Sequence, residues 1–99
     1  MQITPVNIAP AVNASGSTSA SALVTPVTIT SANVYVFIQN ISTQDMYVGI
    51  GFNPTTTTGI LLKANGGSLE YDGTFLPTGA YNIITAGTQA VQPYTCIYA

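Results

Sequence analysis

The sequence predicts an all-β fold, an antiparallel β-sandwich or jelly-roll-like barrel with an extended N-terminal arm. Three observations carry this expectation. From Ala22 onward the chain breaks into short runs of β-branched and aromatic residues. Each run is bounded by Gly, Pro, Asn or Ser, and no segment holds a helical period of useful length. Charge is also scarce: 46% of the 99 residues are hydrophobic and only 4% are charged, a balance opposite to that of disordered chains. The length suits a single domain with one small core.

Residues 1–21 differ from the rest. Pro5 and Pro10 are followed by a run of Ala, Ser, Gly and Thr from Ala14 to Ala22. Proline fixes φ and withholds an N–H, so the stretch is expected to be extended, and so small a set of side chains cannot build a core. It reads as an arm whose Ile3, Val6, Ile8 and Val12 are spaced to touch a neighbouring subunit; a loose terminus is the plainer reading. The β domain then occupies residues 22–99.

Leu23 to Ile29 is a strand demoted to a sheet edge by Pro26. Asn33 to Ile41 sets Val34, Val36 and Ile38 against Tyr35, Phe37 and Gln39. Apolar residues on both sides predict a central strand covered on both faces. Met46 to Phe52 alternates Met46, Val48, Ile50 and Phe52 with Tyr47, Gly49 and Gly51, and the segment Asn33 to Phe52 is expected to form a hairpin. The bare face at Gly49 and Gly51 would admit a facing aromatic or another backbone.

Asn53 to Gly59 is a hydroxyl-rich loop. Gly59 to Ala64 and Ser68 to Asp72 flank Asn65-Gly66-Gly67, which predicts a tight turn and a second hairpin because these residues accept positive φ. Asp72-Gly73, Pro77-Thr-Gly79 and Gly87-Thr-Gln89 punctuate the remainder, with strands over Ala80 to Ala86 and within Ala90 to Tyr98, where Pro93 marks a break or an edge. About seven strands result, a number suited to a sandwich or jelly roll. So small a core gains stability from oligomerisation.

Composition excludes several function classes. Asp45, Lys63, Glu70 and Asp72 are the whole charged inventory, giving a net charge of -2 with no Arg or His. One lysine cannot make a phosphate-binding footprint, so no nucleic acid is expected as a partner, and the same scarcity argues against an anionic membrane surface. No apolar run approaches the ~18 residues of a spanning helix. The N-terminus lacks the basic and apolar regions of a signal peptide, so the chain is expected to be made and kept in a cytoplasm, where the Asn13 and Asn40 sequons carry no sugar. Cys96 is the single cysteine and is expected to pack as a small hydrophobe.

An enzyme is not expected. Without histidine no Ser-His-Asp or Cys-His arrangement can be drawn, no His/Cys zinc site is available, and no cofactor is implied. Glu70 and Asp72 alternate on one strand and share a face, roughly 7 Å apart, within the ~6.5 to 9.5 Å of inverting glycosidases. Any exposed strand produces such a pair, and 99 residues hardly enclose a sugar cleft. A solvated face with Lys63 across the hairpin as charge partner is the simpler reading, a calcium site the alternative. Six tyrosines, Tyr35, Tyr47, Tyr71, Tyr81, Tyr94 and Tyr98, offer apolar area with a hydroxyl, which suits protein interfaces. Of these, Tyr35, Tyr47, Tyr94 and Tyr98 join the four arm residues as candidate interface positions.

The stretches Val48-Gly-Ile-Gly-Phe-Asn-Pro-Thr55, Gly59-Ile-Leu-Leu62, Gly66-Gly-Ser-Leu-Glu-Tyr-Asp-Gly73 and Thr78-Gly-Ala-Tyr-Asn-Ile83 resemble small virion structural proteins of tailed bacteriophages, over about Asn33 to Val91. The resemblance rests on turn and strand signals. It implies a capsid cement or decoration protein located in the virion, forming a trimer or other homo-oligomer on the major capsid protein and using its terminus to clasp neighbours. A tail or fibre module binding a host receptor or glycan, through the tyrosines and Thr55 to Thr58, is the alternative.

Overall fold

A computed structural model of the chain describes residues 12–18, 23–85 and 92–99. Eight strands are present among them: β1 (Val12–Thr18), β2 (Val24–Ile29), β3 (Tyr35–Asn40), β4 (Met46–Ile50), β5 (Ile60–Leu62), β6 (Ser68–Asp72), β7 (Gly79–Thr85) and β8 (Gln92–Tyr98). They form two four-stranded antiparallel sheets. Sheet A has the order β1-β8-β3-β6 and sheet B the order β2-β7-β4-β5.

The pairings are nested. β1 pairs with β8, β2 with β7, β3 with β6 and β4 with β5, so the chain is one long hairpin rolled around a common axis. The further ladders β3–β8 and β4–β7 close the roll. This is the jelly-roll form of the antiparallel sandwich. Among the described strands, only β4 and β5 follow one another within a sheet; the members of every other consecutive pair belong to different sheets.

Strand alternation builds the core. Val36, Ile38, Leu69, Tyr94 and Cys96 from sheet A meet Val27, Ile29, Met46, Val48, Leu62, Tyr81 and Ile83 from sheet B, all buried. Tyr81 keeps its ring in the core because its hydroxyl donates to the Pro77 carbonyl at 2.6 Å. Cys96 is fully buried, and desolvation pushes its thiol up to about 11, so it packs as an inert small hydrophobe.

Pro26 lies on an edge strand, as expected, and the β2–β7 register slips between Val24 and Val27 to pass it. β3 is central, between β8 and β6, but only its inner face is closed: Tyr35, Phe37 and Gln39 stay half-buried on the outer face of sheet A. Residues 12–18 of the expected arm are extended and pair with β8 from Val12–Tyr98 to Thr18–Gln92. Ile3, Val6 and Ile8, with the rest of residues 1–11, lie outside the described residues, as does the turn expected at Gly87-Thr-Gln89.

Both expected hairpins are corrected. β3 and β4 belong to different sheets, and so do β5 and β6. The turn at Asn65-Gly66-Gly67 does form, with positive φ at Asn65 (64°) and Gly66 (121°), but it carries the chain from one sheet to the other. Turn chemistry sets where a chain bends, not which strands become neighbours, and here a buried asparagine ties the two crossings together.

Asn40 is fully buried at the end of β3. Its side-chain amide donates to the carbonyls of Gln44 at 2.7 Å and Leu62 at 2.9 Å, and its oxygen accepts from the Ser42 N–H at 2.9 Å and the Ser42 hydroxyl at 2.7 Å. The backbone completes the link: Asn40 N–H donates to Gly67, Gly66 N–H to Asn40 and Asn65 N–H to Ser42, each at 2.8 Å. The β3–β4 and β5–β6 crossovers are thereby one hydrogen-bonded corner. No apolar residue can satisfy two carbonyls and two donors at once.

Asn40→Asp keeps the shape but removes both side-chain donors and buries a charge against two carbonyls. Urea unfolding should show a loss of about 3 kcal/mol or more, no smaller than for Asn40→Ala. A midpoint close to the native one would refute this role for Asn40.

Candidate interaction surface

The outer face of sheet B is the distinctive surface. Tyr47 on β4 stands opposite Leu61 on β5 and Ile84 on β7, and Leu23 lies one residue before the Val24–Ile83 pair, at the level of Ile84. The four residues form an apolar row that crosses β5, β4 and β7 and ends at the residue preceding β2. Leu61 is 46% exposed and Leu23 41%, with Tyr47 and Ile84 half-buried between them. Cross-strand neighbours on one face sit about 5 Å apart, so the row is continuous.

Each side of the row has its own border. One residue beyond the Met46–Leu62 pair, Asp45 and Lys63 meet at 3.5 Å, and Asp45 also accepts the Ala64 N–H at 2.9 Å. On the other side, the 51–59 loop folds over Gly49. A Cβ there would strike the Phe52 carbonyl and come within 2.9 Å of Pro54 Cδ, so glycine is required. Asn82 holds the loop down, donating to the Phe52 carbonyl at 2.9 Å and accepting from the Thr25 hydroxyl at 2.6 Å. Phe52, 49% exposed, extends the apolar area.

Sheet A presents a different outer face. Phe37 lies between Glu70 and Ile97, and Tyr35 is opposite Asp72. Glu70 and Asp72 do share this face, but each has a local partner. The Tyr35 hydroxyl donates to Glu70 at 2.6 Å, a bond that raises the phenol's pKa. Asp72 accepts from the hydroxyl (2.6 Å) and N–H (3.0 Å) of Thr74, which lower its pKa and cap the turn after β6. Lys63 pairs with Asp45 rather than across to Glu70 or Asp72, because β5 and β6 lie in different sheets. Among the described residues, no three His, Cys, Asp or Glu side chains gather to hold a metal ion.

The candidate interface residues separate accordingly. Tyr35 is half-buried on the outside of sheet A and Tyr47 on the outside of sheet B. Tyr94 is a correction: at 7% exposure its ring belongs to the core, because the even-numbered residues of β8 up to Cys96 turn inward. Tyr98 packs against the core, with Val12 beside it in the β1 ladder. Leu61, Ile84 and Leu23 were not among the expected residues. Each sits in an apolar run whose outward side cannot be identified until the pairing partners are known.

In the Thr55 to Thr58 loop, the Thr55 hydroxyl lies 2.9 Å from that of Thr58 and 3.2 Å from that of Thr57, so these groups bond among themselves. Among the described residues, no helix is long and apolar enough to cross a membrane. No family model, no curated protein and no solved structure matches this chain.

The titrating groups set a pH profile. Asp45, whose carboxyl is lowered chiefly by the Ala64 N–H, and Asp72 both favour the folded state when ionised. Their contribution is present above the unfolded carboxylate range and is lost as pH falls through their lowered values. Tyr81, raised to about 12 by burial, and Cys96, raised to about 11, act in the opposite direction, so stability falls as pH climbs above about 9. Thermal melts should show a plateau between about pH 5 and 9 with a decline on each side, and Asp45→Asn with Asp72→Asn should flatten the acid limb. A step near pH 6.5 would contradict this assignment, since the chain has no histidine.

Proposed function

We propose that this chain is a virion structural protein that decorates and cements an assembled capsid, gripping shell subunits across their joints. The scarcity of charge is the observation that carries the reading: four charged residues in all, two of them in an ion pair, leave the sandwich a largely uncharged surface that includes a part-exposed apolar row on sheet B. Such a surface suits lasting burial against protein. The rolled sandwich supports it, since viral shells and lectins use the same architecture, although a fold by itself assigns no function. The carboxylates support it too, because Glu70 and Asp72 serve Tyr35 and Thr74 within the fold.

A receptor- or glycan-binding tail module draws less support. The Thr55 to Thr58 hydroxyls that would meet a sugar are engaged with each other.

Adding the purified chain back to stripped phage particles tests the proposal. Stoichiometric binding seen by electron microscopy, with rupture at a temperature several degrees higher, is the expected outcome. Particles that remain bare, or coated particles that rupture at an unchanged temperature, would overturn it.

A further inference from the structure

We propose that the row Leu61–Tyr47–Ile84–Leu23 is covered by the same row of a second copy, so that two sandwiches stack with their B sheets face to face. The inference deepens the assembly reading by naming the partner of this surface, and it holds whichever particle the protein joins.

The distribution of charge selects the face through which two copies can meet. All four charged residues are described, and their net charge is divided unevenly: Asp45 and Lys63 neutralise each other beside the row, whereas Glu70 and Asp72, which account for the net charge of -2, project from sheet A. Packed sheets lie about 10 Å apart. Stacking B against B produces four layers, with the two acidic outer faces three spacings apart, about 30 Å, far beyond the ~8 Å screening length at physiological salt. Stacking A against A would instead bring four carboxylates together across a single gap. The molecule therefore opposes self-association through one face and permits it through the other.

The chemistry of the face agrees. Leu, Tyr and Ile on a pleated surface are what the sandwich already uses between its own sheets, where Val, Ile, Met and Tyr fill the gap. A four-stranded sheet with strands of up to seven residues presents a face of roughly 20 by 20 Å. With Phe52 and its loop at the border, covering it removes roughly 400 Å² from each copy, about half of the ~800 Å² that each partner gives to a standard stable interface, which sets pairing of modest strength. The ion pair, with Lys63 72% exposed, falls at the rim, where charges remain hydrated. A like-with-like contact of this kind closes at two copies, not at three.

The test is the mass of the full chain in solution, by sedimentation equilibrium or light scattering over about 1 to 100 µM, the range in which interfaces of modest size associate. The native chain should reach twice the 10.2 kDa of one copy. Leu61→Lys, at a position already 46% exposed, should weaken association at least tenfold while the far-ultraviolet dichroism is unchanged. Should that variant unfold, the milder Leu61→Asn takes its place. Phe37→Lys, on the outer face of sheet A, should retain the two-copy mass. A native chain of one-copy or three-copy mass, folded Leu61 variants that still pair, or loss of pairing in a folded Phe37→Lys would each overturn the inference. A monomer that nevertheless coats particles would sink this inference alone, and a dimer that never binds particles would sink the decoration reading alone.

Discussion

The architecture depends on the buried corner around Asn40. A jelly roll needs its chain to leave one sheet and enter the other repeatedly, and each crossing exposes backbone groups that a ladder would have paired. Here two crossings supply one another's partners. Asn40 joins the end of β3 to the Gln44 and Leu62 carbonyls, and the Asn65 and Gly66 amides return the contact to Ser42 and Asn40. Once that corner is made, β3 cannot fold back on β4 as a simple hairpin. β4 is left to pair with β5 and β7, and β3 with β6 and β8.

The outward surface follows from the same pairing. Because β4 is flanked by both β5 and β7, Tyr47, Leu61 and Ile84 fall on one line. The ion pair at the border arises similarly, since Asp45 and Lys63 extend the β4–β5 ladder by one position at the corner. Placement of Glu70 and Asp72 on the edge strand of sheet A gives that sheet an accessible edge guarded by negative charge, a known defence against uncontrolled strand addition. One sheet face is thus apolar and neutral, and the other is acidic.

Much of the fold was legible in the sequence, and the limit has a physical basis. Period-two alternation located the strands, Pro26 marked an edge, and Asn65-Gly66 marked a turn with positive φ, because these are local properties of the chain. Partner choice is not local. Asn65-Gly66-Gly67 bends the chain in a hairpin and in a sheet crossing alike, and a buried Asn40 has the same letter as an exposed one. The candidate surface suffered in consequence. Tyr47 could be chosen for its residue type, but Tyr94, equally aromatic, points into the core, and Leu61 and Ile84 acquire meaning only when β4 is seen between their strands.

A soluble paramagnetic probe added to the isotope-labelled chain at high concentration shows which sheet face is covered, since it broadens only those resonances that solvent can approach. Tyr47, Leu61 and Ile84 should be shielded while Tyr35 and Phe37 are broadened, one sheet face covered and the other open. Equal broadening on both faces, or shielding on sheet A in place of sheet B, would contradict that arrangement.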